Sequence, residues 1–126
     1  MMTLAAAREQ LAFHCGADPR VNDPRWTNGF LSTLRPYAGL RKDVLDDVDR
    51  CVDAVAAHLR QAELLDRGIV NSLWGIVYFG RAWALDEESM LVRNSLITEE
   101  DATFLANWLN DLSFRIAMLL DGNASE

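Results

Sequence analysis

Residues that build metal, disulfide and nucleotide sites are scarce in this sequence. Its 126 residues include only two cysteines and two histidines, and Cys15 and Cys51 do not form a Cys-x-x-Cys pair, so a disulfide is possible but not required. The Glu-x-x-His motif of helical metal-carboxylate proteins and the glycine-rich phosphate loop are both missing. Cys51 and His58 are about 10 Å apart along a helix, too far for the histidine to activate the thiol. We therefore expect no catalytic, cofactor-binding or metal-binding residues.

Long hydrophobic runs are also lacking. The longest apolar run, from Leu73 to Phe79, is far shorter than the roughly 20 residues of a membrane-spanning helix. The N-terminus reaches the charged Arg8 after only a few apolar residues, too few for the core of a signal peptide. We expect a cytoplasmic protein that does not enter the membrane. Arginine outnumbers lysine eleven to one, which is compatible with a bacterial source of high GC content.

Basic side chains are fewer than acidic ones, and the net charge is unevenly distributed along the chain. The net charge is −7. Residues 1–42 carry six basic and three acidic side chains, a net of +3, whereas residues 43–126 carry six basic and sixteen acidic ones, a net of −10. An acidic surface repels nucleic acid, whose binding depends on neutralising phosphates. The same surface attracts cationic partners, so we expect a basic protein partner and no nucleic acid.

Two heptad-like seams dominate what the sequence does contain. Apolar residues recur at intervals of three and four at positions 45, 48, 52, 55, 59 and 62, and again at 102, 105, 109, 112, 116 and 119. This spacing predicts one helix from Lys42 to Arg67, ended by Gly68, and a second that begins after Thr98 and ends at Gly122. Matched seams predict two long antiparallel amphipathic helices that pack side by side.

Shorter helices complete the predicted fold. We expect one helix from Thr3 to about His14, one over 24–34, a central buried helix over 72–85 and a short one over 87–95. The result is an all-α class protein, a single domain over 1–126, folded as a five- or six-helix bundle. Only residues 123–126 look like a loose tail.

Acidic residues supply the first candidate partner-binding site. Asp46, Asp49 and Asp53 fall within an arc of about 60° on the predicted long helix, taking about 100° per residue. An ordinary solvated face would give the same pattern. The functional interpretation is a docking strip for a basic partner, which Asp86, Glu87 and Glu88 and the acidic run 99–101 would reinforce.

Four aromatic residues between positions 74 and 83 supply the second candidate site. Core packing is one explanation of this segment. The other is that Tyr78 or Trp83 reaches the surface as an interface anchor. Arg81 lies among these rings, and we expect Asp111 or Glu88 to pair with it, because an unpaired buried charge is very costly.

Three classes of function remain open after these observations. The first is a binding antagonist. In size, charge and predicted helicity the chain is similar to the small bacterial immunity proteins, which block nuclease toxins by covering their basic active sites, although no motif matches a particular family of them. The second is a helical adaptor or homodimer. The third is a small-ligand-binding or metal-dependent helical enzyme, for which Glu63 and Asp66 have the Glu-x-x-Asp spacing of helical nucleotide pyrophosphatases but lack a second acidic pair. We rank the immunity-type protein first.

Overall fold

The computed structural model describes residues 1–122 and contains six α-helices with no β-strand in that range. The helices are α1 Leu4–His14, α2 Pro24–Thr27, α3 Lys42–Gln61, α4 Arg67–Ala84, α5 Met90–Arg93 and α6 Glu99–Leu120, with a single 3-10 turn over Leu31–Thr33. The predicted all-α class is confirmed. The predicted tail over 123–126 lies outside the described residues. None of these helices combines the length and the hydropathy that crossing a membrane requires.

Capping residues begin α1 and α6, and end α6, close to the predicted positions. The Thr3 hydroxyl accepts the N–H of Ala6 at 3.0 Å, and the Thr98 hydroxyl accepts the N–H of Asp101 at 3.1 Å. Gly122 follows α6 with a φ of +80°, the left-handed conformation that glycine adopts without strain. Local side chain to backbone chemistry therefore sets these boundaries, which explains why the sequence predicts them well.

The first long helix is shorter than the sequence predicts. Helix α3 ends at Gln61, and Ala62 is extended at φ −72° and ψ 136°. The N–H of Asp66 then donates to the His58 ring at 2.9 Å, and the Asp66 carboxylate caps α4 by accepting the N–H of Ile69. Gly68 is consequently in the first turn of α4 and does not cap α3. The N-cap at Asp66 therefore determines the local structure, and Gly68 does not act as the C-terminal cap that the sequence predicts.

Two of the shorter helices also differ from prediction. The helix expected over 24–34 is broken into α2 and the 3-10 turn, because the chain must pass close to the end of α1. A Cβ on Gly29 would lie only 2.2 Å from the Phe13 carbonyl oxygen. The helix expected over 87–95 is reduced to α5, because the Ser89 hydroxyl accepts the N–H of Val92 and the helix begins at Met90, three residues late.

The two predicted seams are buried in one core, but their helices run in the same direction. Polar and ring contacts between α3 and α6 show their relative direction: Lys42 contacts the Phe104 ring, Asp49 contacts Trp108, and Asp53 contacts Arg115. Residue numbers rise together along both helices, so the prediction of an antiparallel pair is wrong. The reason is that α4 intervenes and reverses the chain, which returns α6 to the end where α3 begins. Helix α4 contacts α6 and α1, and α1 also contacts α3.

Candidate partner-binding surface

A continuous row of aromatic rings lies along α4. We call this row, which consists of Trp74, Tyr78, Phe79 and Trp83, the aromatic strip. Successive ring centroids are 6.4, 5.1 and 5.5 Å apart. Trp74 is 68% exposed, Tyr78 54% and Phe79 41%, whereas Trp83 is half-buried beneath the Arg35 guanidinium, which lies 4.1 Å from its ring centroid.

The strip is exposed because α4 has two apolar faces and the core covers only one of them. The buried face consists of Ile69, Ser72, Leu73, Gly75, Ile76, Gly80 and Ala84. The sequence predicted a central buried helix here, and that expectation is wrong for the opposite face. Tyr78 does reach the surface, whereas Trp83 does so only in part, and Trp74 is the most exposed ring of the four. Hydrophobic composition alone could not show which face the core would cover.

Arg81 lies beside the strip and does not have the predicted carboxylate partner. Its guanidinium donates a hydrogen bond to the side-chain oxygen of Asn110 on α6. Neither Asp111 nor Glu88 forms an ion pair with it within residues 1–122. The guanidinium is only half-buried, so a neutral partner is enough. The contact fixes α4 against α6 at one end of their interface.

The acidic stripe predicted on α3 is largely used by the fold itself. Asp49 is half-buried and accepts the indole N–H of Trp108 at 3.2 Å, and burial raises the pKa of its carboxyl. Asp53 pairs with Arg115 at 2.6 Å. Only Asp46 is exposed with no such contact to α6 among the described residues. Two of the three aspartates therefore contribute to the packing of α3 on α6, which leaves a smaller docking strip than the sequence predicts.

A larger acidic surface lies at one end of the helices. Asp86, Glu87 and Glu88 are exposed in the turn that follows α4, and Glu99 and Glu100 are exposed in the first turn of α6. Because α4 and α6 run in opposite directions, both groups lie at the same end, which we call the acidic end. Within residues 1–122 none of these five carboxylates has an ion-pair partner. The acidic end is thus available to a cationic partner.

A buried polar cluster that the sequence did not predict lies between α1 and α3. The ligand atoms of His14, Asp47 and Cys51 all lie within 4.8 Å of one another. The Nε2 of His14 is 2.7 Å from the Asp47 carboxylate, and its Nδ1 accepts the N–H of Phe30 at 3.0 Å. Sequence spacing gave no signal, because helix packing brings together residues 33 positions apart.

The hydrogen bonds of this cluster fit neither a metal site nor a catalytic thiol. Since Nδ1 of His14 accepts an N–H, the proton of the neutral ring is on Nε2 and is donated to Asp47. A metal-binding histidine uses one nitrogen as a ligand and donates from the other, so both nitrogens here are already occupied. Burial raises the pKa of the Cys51 thiol to about 12, which suppresses the thiolate. The cluster anchors the loop before α3 to α1.

Comparison with known proteins adds no family to this description. No family model, curated protein or solved structure matches the chain. The surface chemistry of the chain itself is therefore the basis for assigning a function.

Proposed function

We propose that this protein is a binding protein that docks a basic protein partner through the aromatic strip and the acidic end. The observation that carries the proposal is the strip, in which three rings in mutual contact are between 41% and 68% exposed. Contiguous exposed apolar surface of this kind is unusual on a monomer and marks interaction sites. Aromatic side chains are also the commonest anchors of protein interfaces.

The charge of the chain supports a cationic partner. The net charge is −7, and the strip leads along α4 directly into the exposed acidic turn 86–88. In an interface of this composition the rings supply buried apolar area, while the carboxylates speed association and reject acidic proteins. The form of action we propose is neutralisation, in which an immunity-type protein covers the basic active site of a nuclease toxin. We assume here that α1, α3, α4 and α6 pack as one bundle, and the contacts among these four helices support that arrangement.

The experiment begins with identification of a partner by affinity capture from the native host and continues with purified proteins. Trp74→Ala and Tyr78→Ala remove exposed rings from the strip. We expect each to weaken binding by about 30-fold or more, which corresponds to the roughly 2 kcal/mol of an interface anchor. Leu64→Ala is the matched control, because Leu64 is 88% exposed in the turn at the opposite end from the acidic end, and we expect no change.

Charge reversal tests the acidic end separately. Glu87→Lys with Glu88→Lys should slow association and reduce its dependence on salt, with a smaller effect on dissociation. Asp49 and Asp53 are unsuitable for this purpose because their replacement would break contacts to α6. An acidic partner, or an affinity that ignores both sets of variants, would contradict the proposal. The proposal would also be contradicted if the chain forms a homodimer that Trp74→Ala dissociates, because a second copy of the chain would then cover the strip.

A further inference from the structure

A cavity lies between helices α4 and α6. The two helices approach closely at Gly80, where a Cβ would lie 3.3 Å from the Leu109 side chain. Toward the start of α4 and the end of α6 lies this cavity of about 190 Å³, bounded by Val70 and Val77 of α4, by residues of α6 and by Leu59 of α3. Trp74 forms part of its rim.

The lining of this cavity is apolar. Eight of its nine lining residues are hydrophobic, and the exception is Ser113. The Ser113 hydroxyl donates to the Leu109 carbonyl oxygen at 2.7 Å, so its proton is already used within α6. A polar compound that entered would lose its hydrogen bonds to water and gain no donor in return. The chemistry of the walls therefore selects an apolar occupant.

The size of the cavity limits that occupant to a small molecule. Enclosed apolar cavities of about 150 Å³ bind benzene. This cavity is open to solvent beside Trp74, and its volume of about 190 Å³ accommodates a single substituted ring or an alkyl group of similar size. The space exists because α6 places small residues, Ser113 and Ala117, opposite the larger side chains of α4. Lining atoms without neighbours lose dispersion contacts that a ligand can restore.

We propose that this cavity is a binding site for a small apolar compound, of the size of a monocyclic aromatic hydrocarbon. The site differs in chemistry from the acidic end because no charged residue lines it, although it shares Trp74 with the aromatic strip. Occupancy would stabilise the folded chain, because a ligand that contacts both α4 and α6 binds the folded state and not the unfolded one.

Toluene is the probe for the test. Thermal unfolding of the whole chain with increasing toluene should show a saturable rise in melting temperature. At a tenfold excess of toluene over its Kd, the unfolding equilibrium constant should fall about 11-fold. In methyl-labelled protein, chemical-shift changes should be concentrated on Leu59, Val70 and Val77, which line the cavity.

Two positions of α6 provide a matched pair of leucine variants. Ala117→Leu places a larger side chain at the cavity wall and should abolish the toluene effect. Thr103→Leu adds a leucine at an exposed position of the same helix that does not line the cavity, and it should leave the effect unchanged. Ser113→Val fills the cavity from its wall and replaces Ala117→Leu if circular dichroism shows that the latter does not fold.

Three results would overturn the proposal. The first is the absence of any shift up to the solubility limit of toluene. The second is an equal shift in the filled and control variants. The third is a response of the lining methyl groups to the purified basic partner but not to toluene. In that third case the cavity receives a side chain of the partner, so the small-compound site is wrong while the docking proposal stands.

Discussion

Replacement of His14 by leucine tests whether the buried cluster anchors the loop before α3. His14 is 2% exposed, and it connects two elements that are distant in sequence: its Nδ1 accepts the N–H of Phe30, and its Nε2 donates to Asp47. Leucine approximates the volume of the ring but can make neither bond. The variant therefore leaves a buried backbone donor without an acceptor and removes a donor from a carboxylate.

The expected loss of stability follows from these two bonds. An unpaired buried N–H costs about 1–3 kcal/mol, and a hydrogen bond to a charged group contributes about 1.5–3 kcal/mol. Asp47 retains Gln10 and Arg50 as partners, so the second contribution should be at the lower end of its range. We expect a decrease of about 3–4 kcal/mol in the free energy of unfolding. With a urea m-value of about 2 kcal/mol/M, the midpoint should fall by about 2 M.

The second histidine of the chain is the matched control. His58 also accepts a backbone N–H, that of Asp66, but this bond is only part-buried and water can replace it. His58→Leu should therefore cost about 1 kcal/mol or less. Equal losses in the two variants, or a loss below about 1 kcal/mol for His14→Leu, would refute the assignment of the cluster as a buried anchor.

The remaining predictions concern pH and the packing of glycine. Burial lowers the pKa of His14 below its usual value of 6.5, although its bond to Asp47 opposes this, so the folded state prefers the neutral ring. The stability that this group contributes should be fully present well above pH 6.5 and should decline as the pH falls below 6.5. Urea titrations at several pH values should show a smaller decline in His14→Leu, and an equal decline would contradict the linkage. Gly29→Ala should destabilise the protein by about 3 kcal/mol or more, since its Cβ would lie 2.2 Å from a backbone oxygen. Gly75→Ala should change the melting temperature little, because the nearest neighbour of the new Cβ would be Cys15 Cβ at 3.4 Å. Similar losses of stability in the two glycine variants would show that the loop containing Gly29 can move away from α1.

Features set by neighbouring residues were predictable from the sequence. The caps at Thr3 and Thr98 and the end of α6 at Gly122 depend on bonds between residues three or four positions apart. The buried seams of α3 and α6 follow from the 3.6-residue period of the helix. Neither the capping residues nor the apolar period indicates whether two packed helices run parallel or antiparallel. The prediction of an antiparallel pair was wrong for that reason. The His14 cluster was likewise hidden, since its members meet only after α1 packs on α3.

Helix α4 shows why the candidate surface was harder to predict than the fold. Apolar residues occur on nearly all faces of this helix, so the sequence predicts that it is buried on every side. No residue in the segment indicates which face the core leaves uncovered. The core is already filled by the seams of α3 and α6 and by α1, so only the face of Ile69, Leu73 and Ile76 finds partners. The rings on the other face are in excess of what folding requires. Where local patterning and the final fold disagree in this way, a functional site is the usual reason, and the binding role proposed above would account for the exposed rings. The aromatic strip is therefore the first place to look for the partner.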